Sequence, residues 1–131
     1  MEYTSDNITE LAPNEVFVFG SNLAGRHGKG AAEQAKKWGA LYGKARGRMG
    51  QTYAIPTKDF TVEIALPLPI IETMIWEFLQ HAKSHPEDRF LVTRIGCGWA
   101  GYTPQQVGYL FQKYGSLPNV ILPKDFYKEN V

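Results

Sequence analysis

The chain has 131 residues, 44% of them hydrophobic and 21% charged, which suits one globular domain able to build its own core. A net charge of +1 excludes a polyanion binder that works by bulk electrostatics, while leaving room for a local basic patch. The single cysteine, Cys97, excludes an internal disulfide, and neither a membrane-length apolar run nor a basic-then-apolar leader over residues 1–10 is present, so a cytoplasmic location is expected.

Residues 1–14 are polar and end in Ala12-Pro13-Asn14, which reads as an irregular lead-in. Val16 to Phe19 is a short apolar run closed by Gly20, the pattern of a buried strand. A loop with Gly20, Gly25, Gly28 and Gly30 follows, and the spacing predicts a helix from Lys29 to Leu41 with Ala32, Ala35 and Trp38 on one face. Gly43 to Gly50 is loop chemistry with Lys44, Arg46 and Arg48, read as a solvated basic loop or as an electropositive rim for an anion.

Thr52 to Ile55 is the second strand, stopped by Pro56, and Val62 to Leu66 is a candidate edge strand. Ile70, Ile71, Met74, Ile75, Phe78, Leu79 and Ala82 form one stripe at helical spacing, from Pro69 to Ser84-His85-Pro86. Phe90 to Arg94 is the third strand. Thr103-Pro104-Gln105-Gln106 is a capping box, so a third helix begins at Pro104, carries Val107, Leu110 and Phe111 inward, and ends near Gly115. Val120 to Leu122 is a last strand before a polar tail at 124–131. Strands alternating with helices predict an α/β fold with a mixed, mostly parallel sheet between helices.

Familiar nucleotide motifs fail. Gly20 and Gly25 have P-loop spacing, but Arg26-His27 stands where Lys-Ser/Thr belongs. Gly28-Lys29-Gly30 lacks the third glycine and the acidic residue of a dinucleotide fingerprint. Two glycine loops remain: Gly28 and Gly30 at the start of a helix, and Ile95-Gly96-Cys97-Gly98-Trp99-Ala100-Gly101 after the third strand. Strand, glycine loop and helix N-terminus present free backbone N–H groups to an anion, and two such loops at one sheet edge would clasp a pyrophosphate. The alternative is that the glycines only make tight turns.

Ser21 and Asn22, in the loop after the first strand, are candidate ligand contacts, and Asn22 is open to a ribose hydroxyl or an Asx turn. Trp99 either stacks on a ring or packs under its loop. Cys97 has no histidine near it in sequence to activate it. His27 is a candidate ligand or acid/base, whereas His81 and His85 are assigned to the surface of the long helix. Histidines this scattered, with one cysteine, argue against a zinc site. Lys58, directly after the second strand, is the leading chemical group, either a point charge for phosphate or, when desolvated, a nucleophile toward a ribose carbon. Its neighbour Asp59 is not placed to pair with it.

At these residues the chain resembles the macro-domain superfamily, in the branch of the ADP-ribosyl-glutamate glycohydrolases and ADP-ribose 1″-phosphatases. His27-Gly28-Lys29-Gly30-Ala31-Ala32, followed by Lys36-Lys37-Trp38, is similar to that branch's M-G-x-G-I-A segment and basic helix. Thr93-Arg94-Ile95-Gly96-Cys97-Gly98-Trp99 is similar to its P-R-I-G-C-G-L segment, and Tyr53 to Lys58 to its strand ending in a reactive lysine. From Val16 to Pro123 the chain also resembles a small bacterial and phage family of macro-like proteins with F-G-S-N-L-A-G-x-H-G-x-G-A, A-I-P-T-K-D and I-G-C-G-x-A-G-Y patterns.

The resemblance implies one three-layer α/β/α macro-like domain over residues 1–131 with ADP-ribose or a related nucleotide diphosphate as ligand. Gly28 and Gly30 would line one phosphate-side loop, Gly96, Gly98 and Trp99 the other, and Lys58 would attack the anomeric carbon of the distal ribose. An ADP-ribosylated protein is the implied macromolecular partner, and no cofactor is implied. The glycohydrolases carry an Asp just after G-C-G-L, and Ala100 stands there instead. General acid–base help is worth ~10² to 10⁴ in rate, so its loss weighs against hydrolysis. Three functions follow: binding with hydrolytic removal of ADP-ribose, binding without turnover, or a phage or mobile-element interaction protein with no nucleotide ligand.

Overall fold

The computed structural model describes residues 2–98 and 100–127. Five strands, Glu15–Asn22 (β1), Gly47–Met49 (β2), Thr52–Lys58 (β3), Arg89–Val92 (β4) and Val120–Ile121 (β5), form one mixed sheet in the order β2-β3-β1-β4-β5. β1 runs parallel to β3 and β4, β4 parallel to β5, and only β2 is antiparallel. The helices are Gly30–Ala35 (α1), Leu68–Lys83 (α2) and Pro104–Gln112 (α3).

The VFVF run of β1 is buried on both faces, which is why it is apolar without alternation. Val16 and Val18 join Ile71, Ile75 and Phe78 of α2 and Val107 and Phe111 of α3 in one core. Phe17 and Phe19 join Ala32 and Ala35 of α1 and Met49 of β2 in the other. Helices therefore cover both faces, with α1 alone on one side.

Several expected boundaries shift. The first helix does not reach Leu41: α1 ends at Ala35, a 3₁₀ turn Lys36–Trp38 follows, and Gly39 at φ 116 stops the chain in the left-handed region. Close packing enforces that stop, because a Cβ on Gly39 would lie 3.1 Å from Gly50 Cα. The basic loop hides β2, too short and glycine-flanked to show a period. β3 does not stop at Pro56 but runs through it to Lys58. β2 pairs only as far as Ala54, so Pro56 has a strand on one side only, where a missing N–H is tolerated. Residues 62–66 are no strand, being tied to β3 by the single bridge Lys58↔Ala65. Ile70 turns outward at 44% exposure while Ile71, Ile75, Phe78, Leu79 and Ala82 face the core.

The capping box stands as read: Thr103 Oγ1 accepts from Gln106 N at 3.1 Å and Gln106 Oε1 from Thr103 N at 2.9 Å. α3 ends at Gln112, short of Gly115. The polar tail contains a 3₁₀ turn, Lys124–Tyr127, whose Phe126 is buried in the core. Among the described residues no helix is long and apolar enough to cross a membrane.

Candidate functional site

Parallel pairing brings the C-terminal ends of β1, β3 and β4 to one edge of the sheet. Asn22 pairs with Lys58 across β1 and β3, and Leu23 N donates to Lys58 O at 2.9 Å. Just past β4, Thr93 N and Oγ1 both donate to Val18 O, at 3.0 and 2.8 Å. β1 leads to α1 on one face, whereas β3 and β4 lead to α2 and α3 on the other. Loops that leave a sheet toward opposite faces open a crevice between them.

That crevice is a cleft of about 630 Å³, within the ~300–1,000 Å³ typical of small-ligand sites. Gly20, Ser21, Asn22, Gly28 and Gly30 line it from the β1 side, Thr57 and Lys58 from β3, and Gly96 and Gly98 from beyond β4. Residues singled out far apart in sequence thus share one cavity.

The glycines divide by cause. Gly96 sits at φ +75, and a Cβ on it would lie 3.2 Å from Val107 Cγ2, so turn geometry and packing account for it. Gly101 makes a turn, donating to Gly98 O at 3.0 Å, and does not line the cleft. Gly28 and Gly98 are different. Neither has a left-handed φ, and beyond its chain neighbours a Cβ at either would meet no atom of the described residues within 4 Å. Backbone geometry and packing both leave a side chain room at these positions, and the room is the cleft itself.

The cleft is cationic. Arg26, Lys29, Lys58 and Arg94 line it, and no Asp or Glu does among the described residues. Arg94 is oriented by Asp6 and Asp125, each 3.2 Å away. Lys58 is half-buried at the end of β3. Its burial, and then the Lys29 ammonium, push its pKa below the ordinary lysine value. Asp59 turns away, accepting from Thr61 N at 3.0 Å and Thr61 Oγ1 at 2.5 Å, bonds that lower its pKa.

Other expected site residues have structural duties. The Asn22 side chain makes no Asx turn but spans the loop to a residue four positions on, accepting from Arg26 N and donating to Arg26 O, both at 3.0 Å. Ser21 Oγ donates to Ala45 O at 2.5 Å. His27 does not line the cleft. It is fully buried, edge-on to Phe19, with Nε2 3.0 Å from Lys44 O. Together with Gly43 N donating to Gly25 O at 2.7 Å, these bonds pin the 40–46 loop against the first glycine loop. Cys97 is half-buried outside the cleft lining, and burial pushes its thiol up to about 11, which keeps it protonated at neutral pH. Ala100 does not line the cleft. Trp99 lies outside the described residues. His81 and His85 are not free surface groups: their rings stack with centroids 4.1 Å apart, and Arg48 of β2 reaches His81 at 3.2 Å.

Thr57, read with Lys58 as a residue after the second strand where sites form, lines the cleft, as do Tyr42, Val62, Thr93, Arg26 and Arg94, which were not singled out. Thr57, Thr93 and Arg94 had a signal, since they flank strand ends. Tyr42 and Val62 come from loops whose path no local pattern gives. A second cavity of about 450 Å³ adjoins the cleft, sharing Gly30, Ala31, Thr93 and Arg94 and walled by Thr4, Ser5, Asp6 and Ile8 of the lead-in. Among the described residues no cluster of His, Cys, Asp and Glu is suited to a metal.

Neither protein-family models, nor curated proteins, nor solved structures yield a match to this chain.

Proposed function

We propose that this is a macro-domain-like protein whose cleft binds ADP-ribose or a related nucleotide diphosphate. One observation carries the reading: Gly28 and Gly98, from loops after different strands, open onto one cavity that is lined, among the described residues, by four cations and no carboxylate. Glycines free of steric duty let a ligand approach the backbone, and bare amides with lysine and arginine suit linked phosphates. The adjoining cavity supplies space for a nucleoside beyond the phosphates. Titration calorimetry with ADP-ribose tests this. Saturable heat is expected, and neither heat nor thermal shift at millimolar ligand overturns it in favour of an interaction protein with no nucleotide ligand.

Turnover is a second reading, favoured by the lowered pKa of Lys58. Neutral Nζ would form a bond to the anomeric carbon as the leaving group departs with its electron pair, and water would then displace the lysine. Among the described residues no carboxylate lines the cleft to move protons for these steps, so binding ranks first, with an ADP-ribosylated protein as the macromolecular partner. Release of ADP-ribose from a modified protein, lost in Lys58→Ala, would establish turnover.

A further inference from the structure

Val62 is the only non-glycine among the described residues with a positive φ, at 69°. The left-handed region suits glycine and asparagine, and a β-branched residue there is a true outlier. The fold has no evident need of valine at this position. Val62 belongs to neither core cluster.

The surrounding loop is built to hold that conformation. Leu66 N donates to Thr57 O at 2.8 Å and Asp59 N to Ile64 O at 2.9 Å, which pinches the base of the loop. Val62 N donates to Asp59 O at 3.1 Å, closing the turn. The Asp59 carboxylate accepts two further bonds from Thr61. Beyond the loop, Tyr102 Oη donates to Leu66 O at 2.7 Å. The strained residue at the tip of this braced loop lines the cleft, as does Lys58. Backbone strain that survives because its surroundings over-determine it gathers at ligand-contacting positions.

We infer that Val62 is a specificity-determining residue of the cleft: the braced 59–66 loop sets an apolar side chain at the cleft wall, against the sugar-bearing end of a nucleotide diphosphate. This rests on the proposed ligand class. The amides and cations grip phosphates of any origin. The Val62 methyls pack on the C–H edge of a sugar that continues from the phosphates, a contact that a bare anion lacks.

The experiment compares wild type, Val62→Gly and Val62→Asn by calorimetry with two probes, ADP-ribose and inorganic pyrophosphate. Both replacements accept the left-handed backbone, so both variants are expected to melt no lower than wild type. The preference for ADP-ribose over pyrophosphate is expected to narrow by ~10-fold or more in each, the scale of one small apolar contact. Equal weakening for both probes would make Val62 a structural residue and overturn the inference. So would a preference within about twofold of wild type, far less than one apolar contact supplies. A wild-type protein that binds pyrophosphate but not ADP-ribose overturns the proposed ligand class, and this inference with it.

Discussion

Replacing Gly28 and Gly98 with alanine separates fold from function more cleanly than any other change in this chain. At both positions an added Cβ meets no atom of the described residues within 4 Å beyond its own chain neighbours, and neither backbone needs a left-handed φ. Gly→Ala at a compatible position stabilises by about 0.4–1 kcal/mol through the unfolded chain, so each variant should melt at or slightly above the wild-type temperature. Each methyl would occupy space where a phosphate must approach the amides. Hydrogen bonds to a charged group are worth about 1.5–3 kcal/mol, and 1.4 kcal/mol is roughly tenfold in affinity. Losing one such bond predicts ADP-ribose binding weaker by ~10- to 100-fold. Thermal melts and calorimetry on the same preparations measure both quantities. Unchanged affinity in both variants would sink the two-loop cradle. A marked drop in melting temperature would instead make these glycines structural and remove the observation on which the ligand proposal rests.

Gly108→Ala should do the reverse: its Cβ would fall 2.4 Å from Phe126 O, and overpacking at about 1–3 kcal/mol or more should appear as a lowered urea midpoint. Lys58→Met should weaken ADP-ribose binding by ~10-fold or more, from one lost charge-assisted bond, and reduce its salt dependence; equal affinities across a salt series would remove Lys58 from the phosphate site. Thr103→Ala should cost about 1 kcal/mol by opening the α3 capping box, read by denaturant unfolding. Burial, then His85 and Arg48, hold His81 below the 6.5 of an ordinary histidine against the opposing pull of Asp88. As pH falls the unfolded chain therefore takes up this proton first, so the contribution is whole above about pH 6.5 and drains below it. His81→Gln should flatten the fall in urea midpoint between about pH 7 and 5, and an unaltered slope would refute the assignment.

Much of this molecule was legible along the chain because local patterns carried it. Val16 to Phe19 reads as a buried strand since both faces are covered, the α2 stripe reads as a helix since it must cover a sheet, and Thr103 with Gln106 caps α3 through contacts three residues apart. What failed had distant causes. β2 exists because β3 offers it an edge and because Arg48 reaches Asp88 at 3.1 Å; nothing in Gly47–Met49 itself demands a strand. The first helix ends early because Gly39 must pack on Gly50, and Phe126 is core only because Gly108 leaves room for its backbone.

The candidate site divides the same way. Chemistry was fixed locally: glycines after strands, a lysine at a strand end, arginine beside a turn. Convergence was not, because it depends on β1, β3 and β4 lying parallel and adjacent, a matter of sheet order. His27 and Asn22 are polar and flank the glycine loop, yet one is buried to pin the 40–46 loop and the other spent spanning its own loop. Residue type states what a side chain is able to do. Only the packed chain decides whether that capacity faces the cleft or is used up holding the cleft in shape.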